Sequence, residues 1–172
     1  MFRSYITRDL TLEKSIARIL FNNSLKLSVA ESCTGGLLSS RLTDISGSSV
    51  YTKLNYVTYS NEAKNKILGV PVKILNEYGA VSRECARDMA EGLYEISDSD
   101  IVLCTTGIAG PTGGTENKPV GLLYVAIKNQ MNIEIKEYKL NPKKQRVNMK
   151  YEFTQCALNQ LLEFLNNCYL SN

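Results

Sequence analysis

Ile101-Val102-Leu103-Cys104-Thr105-Thr106 runs without a break into Gly107-Ile108-Ala109-Gly110-Pro111-Thr112-Gly113-Gly114-Thr115. The first six residues are uncharged, largely apolar or β-branched, and stopped by glycine, which reads as a short strand buried on both faces at the centre of a sheet. The loop that follows holds four glycines and a proline in nine residues. Such a run costs chain entropy unless the backbone needs unusual dihedral angles. The same grammar occurs upstream, where residues 25–30 read as a strand and Ala30-Glu31-Ser32-Cys33-Thr34-Gly35-Gly36 as its glycine-rich exit. Two such exits place backbone N–H groups around one crevice at the carboxyl ends of strands, where open α/β sheets hold ligands.

Working outward, residues 11–23 carry Leu12, Ile16, Ile19 and Leu20 at helical spacing and predict an outer helix. A helix over 34–44 and a strand over 50–59 complete a strand-helix-strand unit around the first loop. Short helices follow over 62–68, stopped at Gly69-Val70-Pro71, and over 72–78, stopped at Gly79. Ser82 caps a longer helix to about residue 96, whose Ala86, Met89, Ala90 and Leu93 face the sheet. Residues 121–128 and 131–140, joined at Asn129-Gln130, predict a hairpin. After Pro142 one long helix runs to about residue 168 with Leu158, Leu161, Leu162 and Leu165 as its apolar stripe. The expected fold is one domain over residues 1–172, a three-layer α/β/α sandwich with a mixed, mostly parallel sheet of about five strands.

Twenty basic and 17 acidic side chains leave a net charge of +3, too little for the concentrated field that sequence-independent nucleic-acid binding needs. No nucleic-acid partner is expected. The five cysteines are odd in number and include no Cys-x-x-Cys, so neither a disulfide framework nor a zinc site is predicted and a reducing cytoplasm is the expected home. Residues 1–9 lack a signal-peptide core, and no stretch approaches the roughly 20 apolar residues of a membrane span.

The chain contains no histidine. That excludes a Ser-His-Asp triad, a Cys-His pair and a His-Glu-x-x-His metal site together. Ser32 sits at the first loop, and Tyr59-Ser60-Asn61-Glu62-Ala63-Lys64 leaves the second strand beside it, so Tyr59 and Lys64 are candidate partners. A lysine near 10.4 is a poor base at neutral pH; bringing it to about 8 takes roughly 3 kcal/mol, which requires burial of Lys64. The amides of Cys33, Thr34 and Gly35 are expected to face an oxyanion. Taken singly, Ser32 or Thr34 also fits a helix cap, Cys33 a small core residue and Lys64 a solvated helix position. Lys118 and the cluster Lys143, Lys144, Arg146 and Lys150 fit either a phosphate contact or a wet face.

Ala30-Glu31-Ser32-Cys33-Thr34-Gly35-Gly36, Gly47-Ser48-Ser49, Thr58-Tyr59-Ser60-Asn61-Glu62-Ala63-Lys64, Gly79-Ala80-Val81-Ser82 and Thr106-Gly107-Ile108-Ala109-Gly110-Pro111 together resemble the CinA carboxy-terminal domain family. The likeness continues through Gly113-Gly114-Thr115 and Lys118-Pro119-Val120-Gly121 and spans residues 11–165. The resemblance implies a nicotinamide-nucleotide amidase that converts nicotinamide mononucleotide to nicotinate mononucleotide and ammonia, in a form without the larger amino-terminal domain of many members. It implies Ser32, Tyr59 and Lys64 as catalytic residues. Cys33, Thr34, Gly35, Gly36, Thr106, Gly107, Gly110, Gly113, Gly114 and Arg146 are implied around the nucleotide. No metal, no organic cofactor and no membrane partner are implied, and a homo-oligomer, dimer or larger, is expected. One departure stands out: Asn141-Pro142-Lys143-Lys144-Gln145-Arg146 occupies the place where relatives often have Phe-Pro-Gly-Asp-Arg, and only the proline and the arginine are kept. A nucleotide-binding module without turnover is the alternative.

Overall fold

A computed structural model describes residues 9–169; the amino-terminal residues read above for a signal segment lie largely outside them. In chain order the elements are α1 (Thr11–Asn22), β1 (Leu27–Glu31), α2 (Leu37–Thr43), a 3-10 turn (Ser48–Val50), β2 (Thr52–Val57), α3 (Asn61–Leu68), α4 (Val72–Glu77), α5 (Arg83–Ser97), β3 (Ile101–Gly107), β4 (Leu122–Asn129), β5 (Ile133–Lys139) and α6 (Arg146–Tyr169).

Side-chain alternation along the strands decides the layering. Leu27 and Val29 of β1, Ile101 and Leu103 of β3, and Leu123, Val125 and Ile127 of β4 enter one core with Ile16, Leu20, Leu38, Phe153, Leu158 and Leu161 from α1, α2 and α6. Ala30, Val102, Cys104 and Ala126 enter a second core with Cys85, Ala86, Met89, Ala90 and Leu93 of α5 and Leu68 of α3. The sheet is therefore covered on both faces, as predicted for a three-layer sandwich. Its order is β2-β1-β3-β4-β5. β1 pairs parallel with both β2 and β3, and β3-β4 and β4-β5 are antiparallel, so four strands point one way and β4 alone runs against them.

Two local irregularities have visible chemistry. The β1-β2 register shifts between Leu27 and Val29, and the Leu54 N–H donates to the Ser28 hydroxyl at 2.9 Å; Ser28 in turn meets the Ser99 hydroxyl at 2.7 Å. On the opposite core, the buried Arg41 guanidinium joins α1, α2 and α6 by donating to Glu13, Thr154 and Gln155.

The helix expected over 34–44 begins only at Leu37, because Gly35 and Gly36 take left-handed angles (φ 60° and 90°) that no helical turn accommodates. The strand expected over 50–59 is trimmed to β2 by the 3-10 turn before it and by departure of the chain at Thr58. Among the described residues no helix is long and apolar enough to cross a membrane.

Candidate functional site

Three loops leaving the carboxyl ends of β1, β2 and β3 converge on Ser32. The Ser32 N–H donates to the Thr105 carbonyl of β3 at 3.0 Å, and the Gly35 N–H closes a turn onto the Ser32 carbonyl at 3.1 Å. The loop is held from behind by Glu31, whose buried carboxylate accepts from the N–H groups of Gly36, Leu38 and Ser39 and from the Ser39 hydroxyl. Helix α3 starts where Ser60 caps it, the serine hydroxyl accepting from the Ala63 N–H at 3.0 Å. One turn in, Lys64 points back at the sheet. Its Nζ donates to Ser32 Oγ at 3.0 Å and to the Thr58 carbonyl at 2.9 Å.

Lys64 has 0 % of its surface exposed and Ser32 9 %. Burial holds Lys64 below its ordinary value, and the nearby Cys85 and Cys33 thiols oppose the shift without reversing it. The desolvated amine required above is present. Cys33 beside the serine is buried and its thiol is pushed up to about 12, chiefly by desolvation; it stays a neutral thiol at physiological pH, as expected of a small core residue.

Tyr59 lines the same cleft as Ser32, and among the described residues its hydroxyl is bonded to Arg146 rather than to the serine. Its side chain is 58 % exposed at the cleft mouth, and its hydroxyl accepts from Arg146 at 2.8 Å. The same guanidinium donates to the Gly110 carbonyl at 2.8 Å, so Arg146, first residue of α6, ties the loop after β2 to the loop after β3. The segment that departs from the family pattern thus keeps the one side chain that reaches the site.

The oxyanion donors also need correction. The Gly35 amide is spent on the Ser32 carbonyl and the first amides of α2 on Glu31. Among the described residues, the Cys33 and Thr34 amides donate to no other residue. Neither Ser32 nor Thr34 caps α2; Glu31 does. No capping-box spacing precedes α2, so the sequence carried no signal for it.

The cleft, about 240 Å³, is lined by Ser32, Lys64, Tyr59 and Arg146, with Cys33, the Ala80-Val81 turn and Gly107, Ile108, Ala109, Gly110, Thr112 and Gly113. Among the described residues no carboxylate lines it. Gly107 permits the strands to close behind it, since a Cβ there would stand 2.6 Å from the Leu122 carbonyl oxygen. The remaining predicted residues, Thr34, Gly35, Gly36, Thr106 and Gly114, do not line the cleft and lie behind or beside it. The Thr34 hydroxyl meets the Thr105 hydroxyl at 2.9 Å, the Thr106 hydroxyl donates to the Ala80 carbonyl at 2.7 Å, and Gly114 lies against Val120. Gly35 and Gly36 form the turn from the serine into α2, with the Lys150 ammonium 3.2 Å from the position of a Gly35 Cβ.

Fold and site define an open α/β protein with a buried lysine on a serine at the carboxyl ends of parallel strands. The CinA C-terminal domain matches residues 9–165, and the chain belongs to that family. It is 49% identical over 157 residues to a CinA-like protein of Syntrophus aciditrophicus, covering 91% of this chain and 37% of that protein. To a CinA-like protein of Chlorobium limicola it is 45% identical over 164 residues, covering 94% and 38%. The chain thus spans well under half the length of these curated relatives. Solved structures are matched over nearly their full length. The competence/damage inducible protein CihA from Agrobacterium tumefaciens superposes with a TM-score of 0.86 at 37% identity, over 95% of this chain and 99% of that one. The competence damage-inducible protein A (ComA) from Klebsiella pneumoniae does so at 0.88 and 30% identity, over 92% and 98%.

Proposed function

We propose that the chain is a nicotinamide-nucleotide amidase that hydrolyses nicotinamide mononucleotide to nicotinate mononucleotide and ammonia. The observation that carries this reading is the hydrogen bond between Lys64 Nζ, wholly buried, and Ser32 Oγ. A neutral amine there takes the serine proton directly while Oγ bonds to the carboxamide carbon. The carbonyl oxygen becomes the oxyanion, stabilised by the Cys33 and Thr34 amides. Collapse breaks the C–N bond, the proton on Lys64 passes to the leaving nitrogen, and ammonia departs from an acyl-serine. Water, deprotonated by the same amine, then releases the carboxylate and restores Ser32.

Two further features support a mononucleotide as substrate. The cleft carries Arg146 at its mouth and, among the described residues, no carboxylate in its lining, a balance that favours an anionic ligand. The guanidinium's remaining donors suit a phosphate monoester. The chemistry as written uses side chains, backbone amides and water. A soluble cytoplasmic setting and assembly into a homo-oligomer belong to the same proposal, the latter checked by light scattering.

The deciding experiment measures ammonia release from nicotinamide mononucleotide by the unmodified protein beside Ser32→Ala. Release by the first and none by the second is the expected result. Binding of the nucleotide without release would make the chain a nucleotide-binding module.

A further inference from the structure

Glu31 is fully buried, makes no ion pair among the described residues, and precedes Ser32 directly. Burying a carboxylate without a cation is costly unless its oxygens are satisfied. Here Oε2 accepts from the Gly36 and Leu38 N–H groups at 3.0 Å each, and Oε1 accepts from the Ser39 N–H at 2.8 Å and the Ser39 hydroxyl at 2.5 Å. Every partner is a donor.

The same residue is tied to the other half of the site through its backbone. The Thr58 N–H donates to the Glu31 carbonyl at 2.8 Å, and the Thr58 carbonyl accepts from Lys64 at 2.9 Å. One residue therefore fixes the start of α2 through its side chain and the lysine's second anchor through its main chain. Between its carboxylate and its own α-carbon it spans the loop that presents Ser32. Gly35 and Gly36 in that loop are in left-handed conformations, so the loop has little stiffness of its own. The clamp consumes the amides of Gly36, Leu38 and Ser39, while among the described residues those of Cys33 and Thr34 donate to no other residue.

We infer that the Glu31 side chain is a positioning residue for Ser32: it sets the distance from Ser32 Oγ to Lys64 Nζ and reserves the Cys33 and Thr34 amides for the oxyanion, without touching substrate. The inference deepens the amidase reading and rests on it for the reaction concerned. Glutamine at this position keeps the shape, but its amide group would set two N–H donors against backbone donors. Aspartate keeps the charge but is one methylene too short to reach all four partners.

The test uses an alkyl fluorophosphonate, in which Ser32 Oγ forms a bond to phosphorus, fluoride leaves with the P–F electron pair, and the serine proton passes to Lys64. Saturation kinetics of labelling, normalised to the labelled fraction at completion, separate the limiting rate from the affinity. Glu31→Gln is expected to lower the limiting rate, and kcat for ammonia release, by about tenfold or more, with the half-saturating concentrations held within about twofold. Mere loss of folded protein would lower the labelled fraction and leave the normalised rate unchanged. A folded Glu31→Gln protein labelled at the wild-type rate overturns the inference, as does a loss confined to affinity. If Glu31→Gln does not fold, Glu31→Asp decides alone: slower labelling at unchanged affinity supports the role, and a wild-type rate removes it. An unmodified protein that takes the probe at Ser32 but releases no ammonia removes the amidase reading, while the labelling comparison still judges Glu31.

Discussion

Lys64 Nζ lies 3.0 Å from Ser32 Oγ, and no solvent reaches the lysine. Among the described residues Lys64 bonds to one hydroxyl and one carbonyl and pairs with no carboxylate, an expensive arrangement for a structural role. In the proposed reaction it is the base. Lys64→Met is expected to lower kcat for ammonia release by about 10²- to 10⁴-fold, the usual worth of a positioned base, and Ser32→Ala by about 10³-fold or more. Both proteins should retain the far-ultraviolet circular dichroism of the parent. A Lys64→Met protein turning over at the wild-type rate would remove the lysine from the mechanism.

The direction of the Lys64 shift fixes a pH dependence. Desolvation lowers its folded value below the ordinary 10.5. Between the two values the unfolded chain binds the proton and the folded chain does not, so stability rises with pH across that window. Below the folded value the whole cost of burying the ammonium is carried; above 10.5 it is gone. Thermal unfolding of wild type and Lys64→Met from about pH 7 to about pH 10 should therefore show the wild type gaining on the variant as pH rises. The rate moves in the same sense: kcat climbs while Lys64 loses its proton and levels once it is neutral. A kcat falling over that climb contradicts the assignment.

Arg146 and Tyr59 are coupled at the mouth rather than at the nucleophile. Loss of a charge-assisted hydrogen bond is worth about 1.5–3 kcal/mol, so Arg146→Ala should raise KM for the mononucleotide by about 10- to 150-fold while affecting kcat less. Arg146→Lys, which keeps charge but loses the planar fork, should recover part of it. Because Lys64 reaches Ser32 unaided, Tyr59→Phe should keep kcat within about tenfold of wild type. A larger fall in kcat would restore Tyr59 as a catalytic residue.

Much of this arrangement was legible in the residues. Ile101 to Thr106 announced a central strand because neither face tolerates charge, and the two glycine-rich exits placed the crevice. Absence of histidine left lysine, tyrosine and carboxylates as the available bases, and the demand that Lys64 be dry followed from its solution chemistry. Glu31 was not legible as a cap, since a carboxylate on a buried strand reaching forward to Gly36, Leu38 and Ser39 matches no short-range capping pattern. The exposure of Tyr59 and its bond to Arg146 depend on α6 returning across the sheet, a contact between residues 87 positions apart. Helix α2 was read three residues early, because its loop contains residues of adequate helix propensity whose fate is decided by the left-handed glycines beside them.

The position of Lys64 also depends on how closely α3 lies against α5, and Gly92 sets that approach. A Cβ at Gly92 would stand 1.7 Å from the Leu68 carbonyl oxygen, one turn beyond Lys64 on α3. On propensity alone Gly→Ala in a helix interior gains about 1 kcal/mol. Here backbone meets side chain with no rotamer to absorb the overlap, and an overpacked contact costs about 1–3 kcal/mol or more. Gly92→Ala is therefore expected to lower stability in urea by about 2 kcal/mol or more, despite the helix preference. The displaced α3 should carry Lys64 away from Ser32, so ammonia release by the folded fraction should fall as well. A Gly92→Ala protein as stable and as active as its parent would show that the two helices do not meet at this residue, and the burial of Lys64 that depends on their contact would lose its structural cause.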